Sequence, residues 1–350
     1  MNHAPWRLLR PVAGPVRLFH AIRMRILPLA FFALFALAAT GATARAEPPT
    51  AQAVVDAFEA NLGPITTYRP SHPKGSCAAG HFTATPEGAR LSVAPVFNGQ
   101  RVPTIIRFGV GGANFRTPDT ARSTRSLSVR FETPQGDIWD MANVSFPIFG
   151  AATPEAMVAG LLARRPLAGG PPDPAAVAAF VAANPASLLQ GRLIAATLPP
   201  ASWATTPYFG INTFRFQGAD GQLRPARWSF EPVAGTSRLT AEQLTTMPAD
   251  FLADELRARV ARAPAEFDMV LHFPAAGDDL NNPTVAWPED RPRTVVGRLV
   301  VTSVQAGPGG PCDPISFMTL DQEPGIQLSD DPTLQARASS YAVSLSRRTR

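Results

Sequence analysis

Apolar and polar positions change their period several times along the chain, and each change marks an element. Val54 to Leu62 (VVDAFEANL) repeats its apolar residues at helical spacing and predicts a helix that runs into an Arg-, Pro- and Gly-rich turn. β-like segments follow at Gly80–Thr83, Thr104–Phe108, Ser126–Phe131 and Gly210–Phe216, each alternating or locally apolar and bounded by Gly, Pro or Asn. Between the third and fourth, the Ala-rich stretch Pro154–Arg165 reads as helix. Asp173–Ala196 reads as more helix, broken at Pro185, after the breaker Gly169-Gly170-Pro171-Pro172. Strand-like segments resume at Ala226–Glu231, Phe267–Phe273 and Val295–Thr302, around a helix at Ala241–Val260 interrupted near Pro248. The last element, Leu334–Arg348, is a helix introduced by Asp330, Asp331 and Pro332. No internal repeat is visible. So many strands with intervening helices predict an α+β domain around an antiparallel sheet or barrel.

Composition supports one large domain or two small ones: the chain has 350 residues, 45% of them hydrophobic. Its 37 prolines suit long ordered connections, because apolar content stays high throughout. The net charge of +5 invites a nucleic-acid reading. Its source removes that reading. Six of the 32 lysines and arginines (Arg7, Arg10, Arg17, Arg23, Arg25, Arg45) lie in residues 1–46, which hold no acid, so 26 basic residues face 27 acidic ones thereafter. The body of the chain offers no phosphate-binding surface by charge, and no nucleic-acid partner is expected.

The basic N-terminus reads as a secretory signal. Arg23 and Arg25 precede an apolar run from Ile26 to Ala39, followed by small residues and the A-x-A site Ala44-Arg45-Ala46. The run falls short of the ~20 residues that span a bilayer comfortably. A retained anchor is the competing reading. Residues 1–22 are long for the charged part of a signal, and Met24 begins a more ordinary one, so the true start is suspected there. The expectation is a signal segment at 1–46, a mature domain at 47–350 beginning near Glu47, and export to a bacterial periplasm without a stable membrane span. Only Cys77 and Cys312 occur, neither in a C-x-x-C pair, which argues against a zinc or iron–sulfur site. In an oxidising compartment they form either one disulfide or two free thiols.

Candidate chemistry is sparse. Arg337 and Tyr341 lie four residues apart, on one face of the last predicted helix. A free phenol, with a pKa of about 10, is neutral at pH 7, and an adjacent guanidinium with a bound metal would favour the phenolate. Tyrosine is an uncommon axial ligand of haem iron. The ordinary outcome of Arg-x-x-x-Tyr is an arginine stacked on the ring, and both readings stand. Beyond residue 46 the histidines are His72, His81 and His272, without metal-ligand spacing. No Gly-x-Ser-x-Gly elbow, Walker motif or H-E-x-x-H occurs.

Several segments taken together resemble the haem catalases, and more closely the shorter catalase-related peroxidases. Arg69-Pro-Ser-His72-Pro-Lys-Gly75 is similar to the family's R-x-x-H-A-K-G, and Ile105-Ile-Arg107-Phe-Gly109 to its V-x-R-F-S strand. Asp119-Thr-Ala-Arg122-Ser-Thr-Arg125 is similar to D-T-x-R-D-x-R, and Asn143 through Phe149 (NVSFPIF) to N-N-x-P-V-F. Tyr208–Arg215 and Val285-Ala-Trp287-Pro288 resemble later segments of the family. Leu334-Gln-Ala-Arg337-Ala-Ser-Ser-Tyr341 is very like L-Q-x-R-x-x-x-Y, the helix that bears the iron-binding tyrosine. The resemblance covers nearly all of residues 50–350 in order.

The resemblance implies a catalase-like core with an antiparallel β-barrel and surrounding helices, without the family's C-terminal helical domain. It implies haem b held by Tyr341 as iron ligand, with Arg337 keeping the phenolate. His72 would shuttle protons and Asn143 would offer an amide on the opposite haem face, with Phe149 as an aromatic wall. Arg69, Arg107 and Arg348 would pair with the haem carboxylates. The implied activity is a peroxidase that reduces hydrogen peroxide or organic peroxides with small organic donors and dismutates weakly. A fatty-acid hydroperoxide-processing enzyme and a non-enzymatic haem-binding protein are the alternatives. The expected assembly is a monomer or small homo-oligomer.

The departures fall on one side of the expected site. Gly109 stands where the family has a serine near the histidine, and Pro73 replaces the alanine after it. Asn143 lies four residues before Pro147 where the pattern wants three, so Val144 takes the aligned position and only a one-residue bulge would bring Asn143 there.

Overall fold

A computed structural model describes residues 48–61, 69–168, 170–305, 309–317 and 323–348. The expected signal segment lies outside the described residues. Among the described residues nine strands occur in chain order: β1 (Gly75–Ala84), β2 (Arg101–Val110), β3 (Arg125–Glu132), β4 (Ile138–Val144), β5 (Tyr208–Gln217), β6 (Leu223–Pro232), β7 (Ala265–His272), β8 (Arg293–Gln305) and β9 (Ile326–Leu328). The first eight form an antiparallel barrel of two four-stranded meanders. β1 pairs with β8 on one side, and the Val144–Phe209 pair joins β4 to β5 on the other. Closure leaves no long edge to aggregate. β9 adds to β5.

Alternation sorts the strand residues into two faces. Val102, Thr104, Ile106, Phe108 and Val110 of β2 point into the barrel, as do Leu127, Val129 and Phe131 of β3 and Trp139 and Met141 of β4; all are buried. Aromatic rings fill the interior: Phe131 stacks on Trp139 at 5.4 Å, Trp139 meets Trp228 edge-on at 5.7 Å, and Phe108 stacks on Trp203 at 5.5 Å. Each such pair contributes about 0.5–1.5 kcal/mol beyond its area. With the interior filled by these side chains, the outer faces of β2 to β5 are left to carry chemistry.

The helices are α1 (Ala51–Glu59), α2 (Pro86–Leu91), α3 (Pro154–Ala163), α4 (Pro174–Ala183), α5 (Ser187–Ala196), α6 (Gln243–Thr246), α7 (Phe251–Val260) and α8 (Pro332–Arg348). Thr50, Thr153 and Asp173 cap α1, α3 and α4 through their side-chain oxygens. The expected breaks at Pro185 and Pro248 separate α4 from α5 and α6 from α7. Three elements, α2, β4 and β9, lack a counterpart in the sequence reading. β4 hides because polar residues sit on both of its faces, Asp140 outward and Asn143 inward, which erases the period of two. Asp140 is satisfied by Arg130 across the strand pair, at 2.7 Å.

Cys77 and Cys312 form a disulfide, with Cα atoms 5.4 Å apart, which decides between the two cysteine readings. It ties the loop at 309–317 to β1. Arg347 of α8 reaches Glu59 and Asp56 of α1 at 2.6 and 2.7 Å, binding the first described helix to the last. Among the described residues no single helix is long and apolar enough to cross a membrane.

Candidate active site

The outer faces of β2 to β5 and the helices α1, α3 and α8 enclose a cavity of about 1340 Å³, counting its open mouth. Arg69, His72, Arg107, Asn143, Phe149, Arg337, Tyr341 and Arg348 all border it, though the Asn143 amide is turned away, as described below. Val54, Val55 and Phe58 of α1, Met157 of α3 and Ile211 of β5 make the wall largely apolar.

On the α8 side the helical repeat places Arg337 one turn before Tyr341. Arg337 Nη2 donates to Tyr341 Oη at 2.9 Å, and the guanidinium carbon lies 5.4 Å from the ring centroid. Arg337 Nη1 donates to Asn212 Oδ1 at 2.9 Å. Asn212 Nδ2 in turn donates to Asp331 Oδ2 at 2.7 Å and to Thr333 Oγ1 at 3.2 Å. The fully buried Asp331 also accepts, through Oδ1, from the backbone N–H and hydroxyl of Thr333 at 2.8 and 2.7 Å. It thus starts α8 and anchors a chain of hydrogen bonds running Asp331–Asn212–Arg337–Tyr341. The buried carboxylate fixes the guanidinium, and the guanidinium fixes the phenol. Asp331 was legible only as a helix start. Asn212 left no signal, because alternation puts it in phase with the inward-facing Gly210 and Phe214. An irregularity in the β5–β6 register between those two residues lets it reach the cavity.

On the opposite side, His72 adopts φ 52°, an uncommon left-handed conformation for a non-glycine residue. Its N–H donates to Gly112 O at 2.8 Å, while Arg107 Nη1 and Nη2 donate to the carbonyls of His72 and Pro73 at 3.0 and 2.9 Å. The ring is bracketed by hydroxyls: Ser71 Oγ lies 2.9 Å from Nδ1 and Thr124 Oγ1 lies 3.4 Å from Nε2. Burial, and then the positive charges of Arg107, Arg125 and Arg69, push the imidazole down to about 4, so it is neutral at pH 7. The Asp119–Arg125 motif builds this corner instead of facing the cavity. Asp119 forms an ion pair with Lys74 at 2.8 Å and accepts from the Leu252 N–H at 2.8 Å. Arg125 donates to the carbonyls of Asp119, Ala121, Ser123 and Thr124, and so shapes the loop that brings Thr124 to His72.

Three guanidiniums converge on the loop tethered by the disulfide. Arg69 Nη2 donates to the carbonyls of Cys312, Asp313 and Ile315 at 2.9, 3.1 and 2.5 Å. Arg348 donates to those of Asp313 and Ile315 at 3.2 and 3.0 Å. Arg107 Nε lies 3.7 Å from the Asp313 carboxylate. Burial, then repulsion from Arg107 and Arg348, lowers the Arg69 guanidinium to about 9. Buried Nε atoms of Arg107 and Arg348 have no hydrogen-bond acceptor. Such a cluster is short of anionic partners and fits the carboxylates of a flat, otherwise apolar group lying in the cavity. With a phenol on one wall and a neutral imidazole also in the wall, these residues fit a haem.

Two expectations change. The amide of Asn143 does not face the cavity. Its Nδ2 donates to Leu127 O at 2.8 Å and its Oδ1 accepts from the indole N–H of Trp228 at 2.6 Å, inside the barrel. β3 and β4 pair in uninterrupted register, Leu127 opposite Asn143, so the bulge needed to turn it is not there, and Ala142 and Val144 face outward instead. The hydroxyl contact that Gly109 cannot provide is made by Ser71. Ser71, Thr124, Asn212 and Asp331 are site residues to which the sequence reading assigned no part in the site.

The profile of the catalase family matches residues 65–349. A catalase-related peroxidase of Synechococcus elongatus is 39% identical over 302 residues, spanning 86% of this chain and 89% of the relative. One from Mycolicibacterium paratuberculosis is 33% identical, spanning 86% of this chain and 95% of the relative. The crystal structure of a fungal catalase superposes with a TM-score of 0.71 at 20% identity, covering 80% of this chain and 59% of that one, which shows a shared fold. This chain belongs to the catalase family. Membership implies a haem cofactor, in agreement with the donor set of the cavity.

Proposed function

We propose that this chain is an exported haem peroxidase that reduces hydrogen peroxide or small organic hydroperoxides at the expense of small organic donors, with weak dismutation. The observation that carries the reading is the single cavity holding Tyr341, secured by Arg337, together with His72 and three converging arginines. Haem b bound there supplies the redox chemistry between peroxide and donor. Tyr341 would hold its iron, its oxygen kept in place by the 2.9 Å hydrogen bond from Arg337. Arg69, Arg107 and Arg348 would hold the carboxylates, the last two through Nε atoms now without acceptors. His72, neutral at pH 7, offers an unprotonated ring nitrogen that takes the proton of the incoming peroxide and returns it to the departing oxygen. The apolar residues of α1 and α3 exclude water and suit apolar donors. Weak dismutation follows from the His72 side of the cavity, where hydroxyls stand and the Asn143 amide is turned away.

The test is the ultraviolet–visible spectrum of the haem-loaded protein, wild type and Tyr341→Phe, before and after peroxide. Loss of the tyrosinate-ligated spectrum in the variant is expected; an unchanged spectrum would overturn the assignment. Oxygen evolution at full catalase rates without donor oxidation would overturn the peroxidase half. Comparing products from hydrogen peroxide and a lipid hydroperoxide separates it from hydroperoxide rearrangement. Failure to react with peroxide at all would leave a haem-binding protein.

Export to a bacterial periplasm, with cleavage near Glu47, is part of the same proposal. It is supported by the apolar run, the A-x-A site and a disulfide of the kind that persists in oxidising compartments. N-terminal sequencing that found Met1 or Met24 retained would refute it.

A further inference from the structure

We propose that Ser71 is the positioning residue that holds the ring of His72 in one orientation, in place of a hydroxyl that position 109 does not carry. The inference rests on the peroxidase reading only for its kinetic consequence; the geometry stands apart from it.

Three observations converge. First, residue 109 is crowded by the side chains around it. A Cβ built on Gly109 would lie 2.6 Å from Ser126 Oγ, 3.1 Å from Arg107 Nη1 and 3.4 Å from His72 Cβ. Ser126 sits directly across the strand pair from Gly109, so the register itself fills the space a serine would need. Arg107 cannot withdraw, because its two terminal nitrogens are spent on the carbonyls of His72 and Pro73. Second, Ser71 Oγ lies 2.9 Å from His72 Nδ1, and the left-handed φ of 52° at His72 accompanies that approach between neighbouring residues. Third, the backbone on which this contact depends is held from two sides, by Gly112 O on the His72 N–H and by Arg107 on the His72 carbonyl. The hydroxyl therefore belongs to an anchored turn.

The charged groups around the ring are Arg69 beside the turn, Arg107 on β2 and Arg125 on β3, all cationic. They keep the ring neutral, and a neutral ring has one N–H and one bare nitrogen. Which nitrogen is which depends on the hydrogen bonds it makes. Thr124, at 3.4 Å from Nε2, is the weaker partner. Ser71 is thus the closer anchor of the ring, its hydroxyl donating to a bare Nδ1 or accepting from a protonated one.

The experiment compares wild type, Ser71→Ala and Ser71→Thr in the full chain. Nitrogen-15 spectra of the histidine-labelled, haem-free protein, with His72 assigned by His72→Gln, read the ring directly. Wild type and Ser71→Thr are expected to share one Nδ1 resonance, shifted by the hydroxyl, and Ser71→Ala to move it toward the unbonded value. In the haem-loaded protein, Ser71→Ala is expected to lower kcat/KM for hydrogen peroxide about tenfold or more, as misplacement of a proton-transfer group does. Donor KM should stay unchanged, the acid limb of the pH profile should shift, and Ser71→Thr should restore both rate and profile. An unchanged Nδ1 resonance and pH profile in Ser71→Ala would overturn the proposal, as would a loss that Ser71→Thr fails to rescue. If the wild-type protein proves inert to peroxide, the functional reading fails while the spectra still judge Ser71.

Discussion

The two sides of the cavity are built on different plans. On the tyrosine side one helix carries both chemical groups, and one buried acid, Asp331, starts that helix and ends the hydrogen-bond chain that secures them. On the histidine side the ring comes from an anchored turn, its hydroxyl partners from Ser71 and Thr124, and its electrostatic environment from β2 and β3. The first plan concentrates dependence on few residues. The second spreads it, so that a lost contact at Gly109 is met by a neighbour in the turn. A site assembled from several elements can exchange one donor for another, whereas a site on one helix face cannot move its phenol without moving the helix.

This contrast can be broken most severely at Asp331. Asp331→Ala removes the helix start and strands Asn212 and Thr333 in a buried setting. It is expected to destabilise the protein by about 3 kcal/mol in denaturant unfolding. Asn212→Ala leaves both Asp331 and Arg337 short of a partner, with an expected cost of about 2 kcal/mol. The pair should be non-additive in a double-mutant cycle, since they share one chain of bonds. Additive losses would dissolve the idea of a single unit on the tyrosine side.

The histidine side is sharpened by pH. His72 is lowered in the folded protein from an ordinary value near 6.5 to about 4. Its contribution is present above the unfolded value and is lost as pH falls through the window toward 4, where the unfolded chain binds the extra proton. Glu323, raised by burial to about 7, acts oppositely: its contribution is present below 4.5 and lost as pH rises through 7. The difference between wild type and His72→Gln isolates the first effect. It should amount to about 1–2 kcal/mol between pH 7 and pH 5, read from urea midpoints at each pH. The smallest effect is a gain. Val144→Asn puts an amide on the outward face of β4 where Asn143 cannot point. It is expected to raise the rate of peroxide consumption about tenfold, ~1.4 kcal/mol in the barrier, in stopped-flow measurements. No change would mean that the histidine side works without an amide.

Seven of the eight barrel strands and most of the helices were legible as periodic segments, because period and breakers are local properties of the chain. The missing strand, β4, carries polar residues on both faces, whose partners Arg130 and Trp228 come from other strands. The same limit governs the site. The pairing of Arg337 with Tyr341 was readable, since the helical repeat alone sets neighbours four residues apart. The direction of the Asn143 amide was not, since it depends on whether the β3–β4 register contains a bulge. Asn212 was hidden for the converse reason: an irregularity in β5 turns toward the cavity a residue that strict alternation would bury in the barrel.

From the order of its segments the chain could be placed in a family, with its tyrosine, histidine and arginines named. Left to the folded structure were the contacts between distant segments: the disulfide, the anchoring of Arg337 through Asn212 to Asp331, and the hydroxyl that meets His72. Local periodicity is written in neighbouring residues. Register, bulges and the packing of one strand's side chains against another's are properties of pairs far apart in the chain, and these set which way a side chain points.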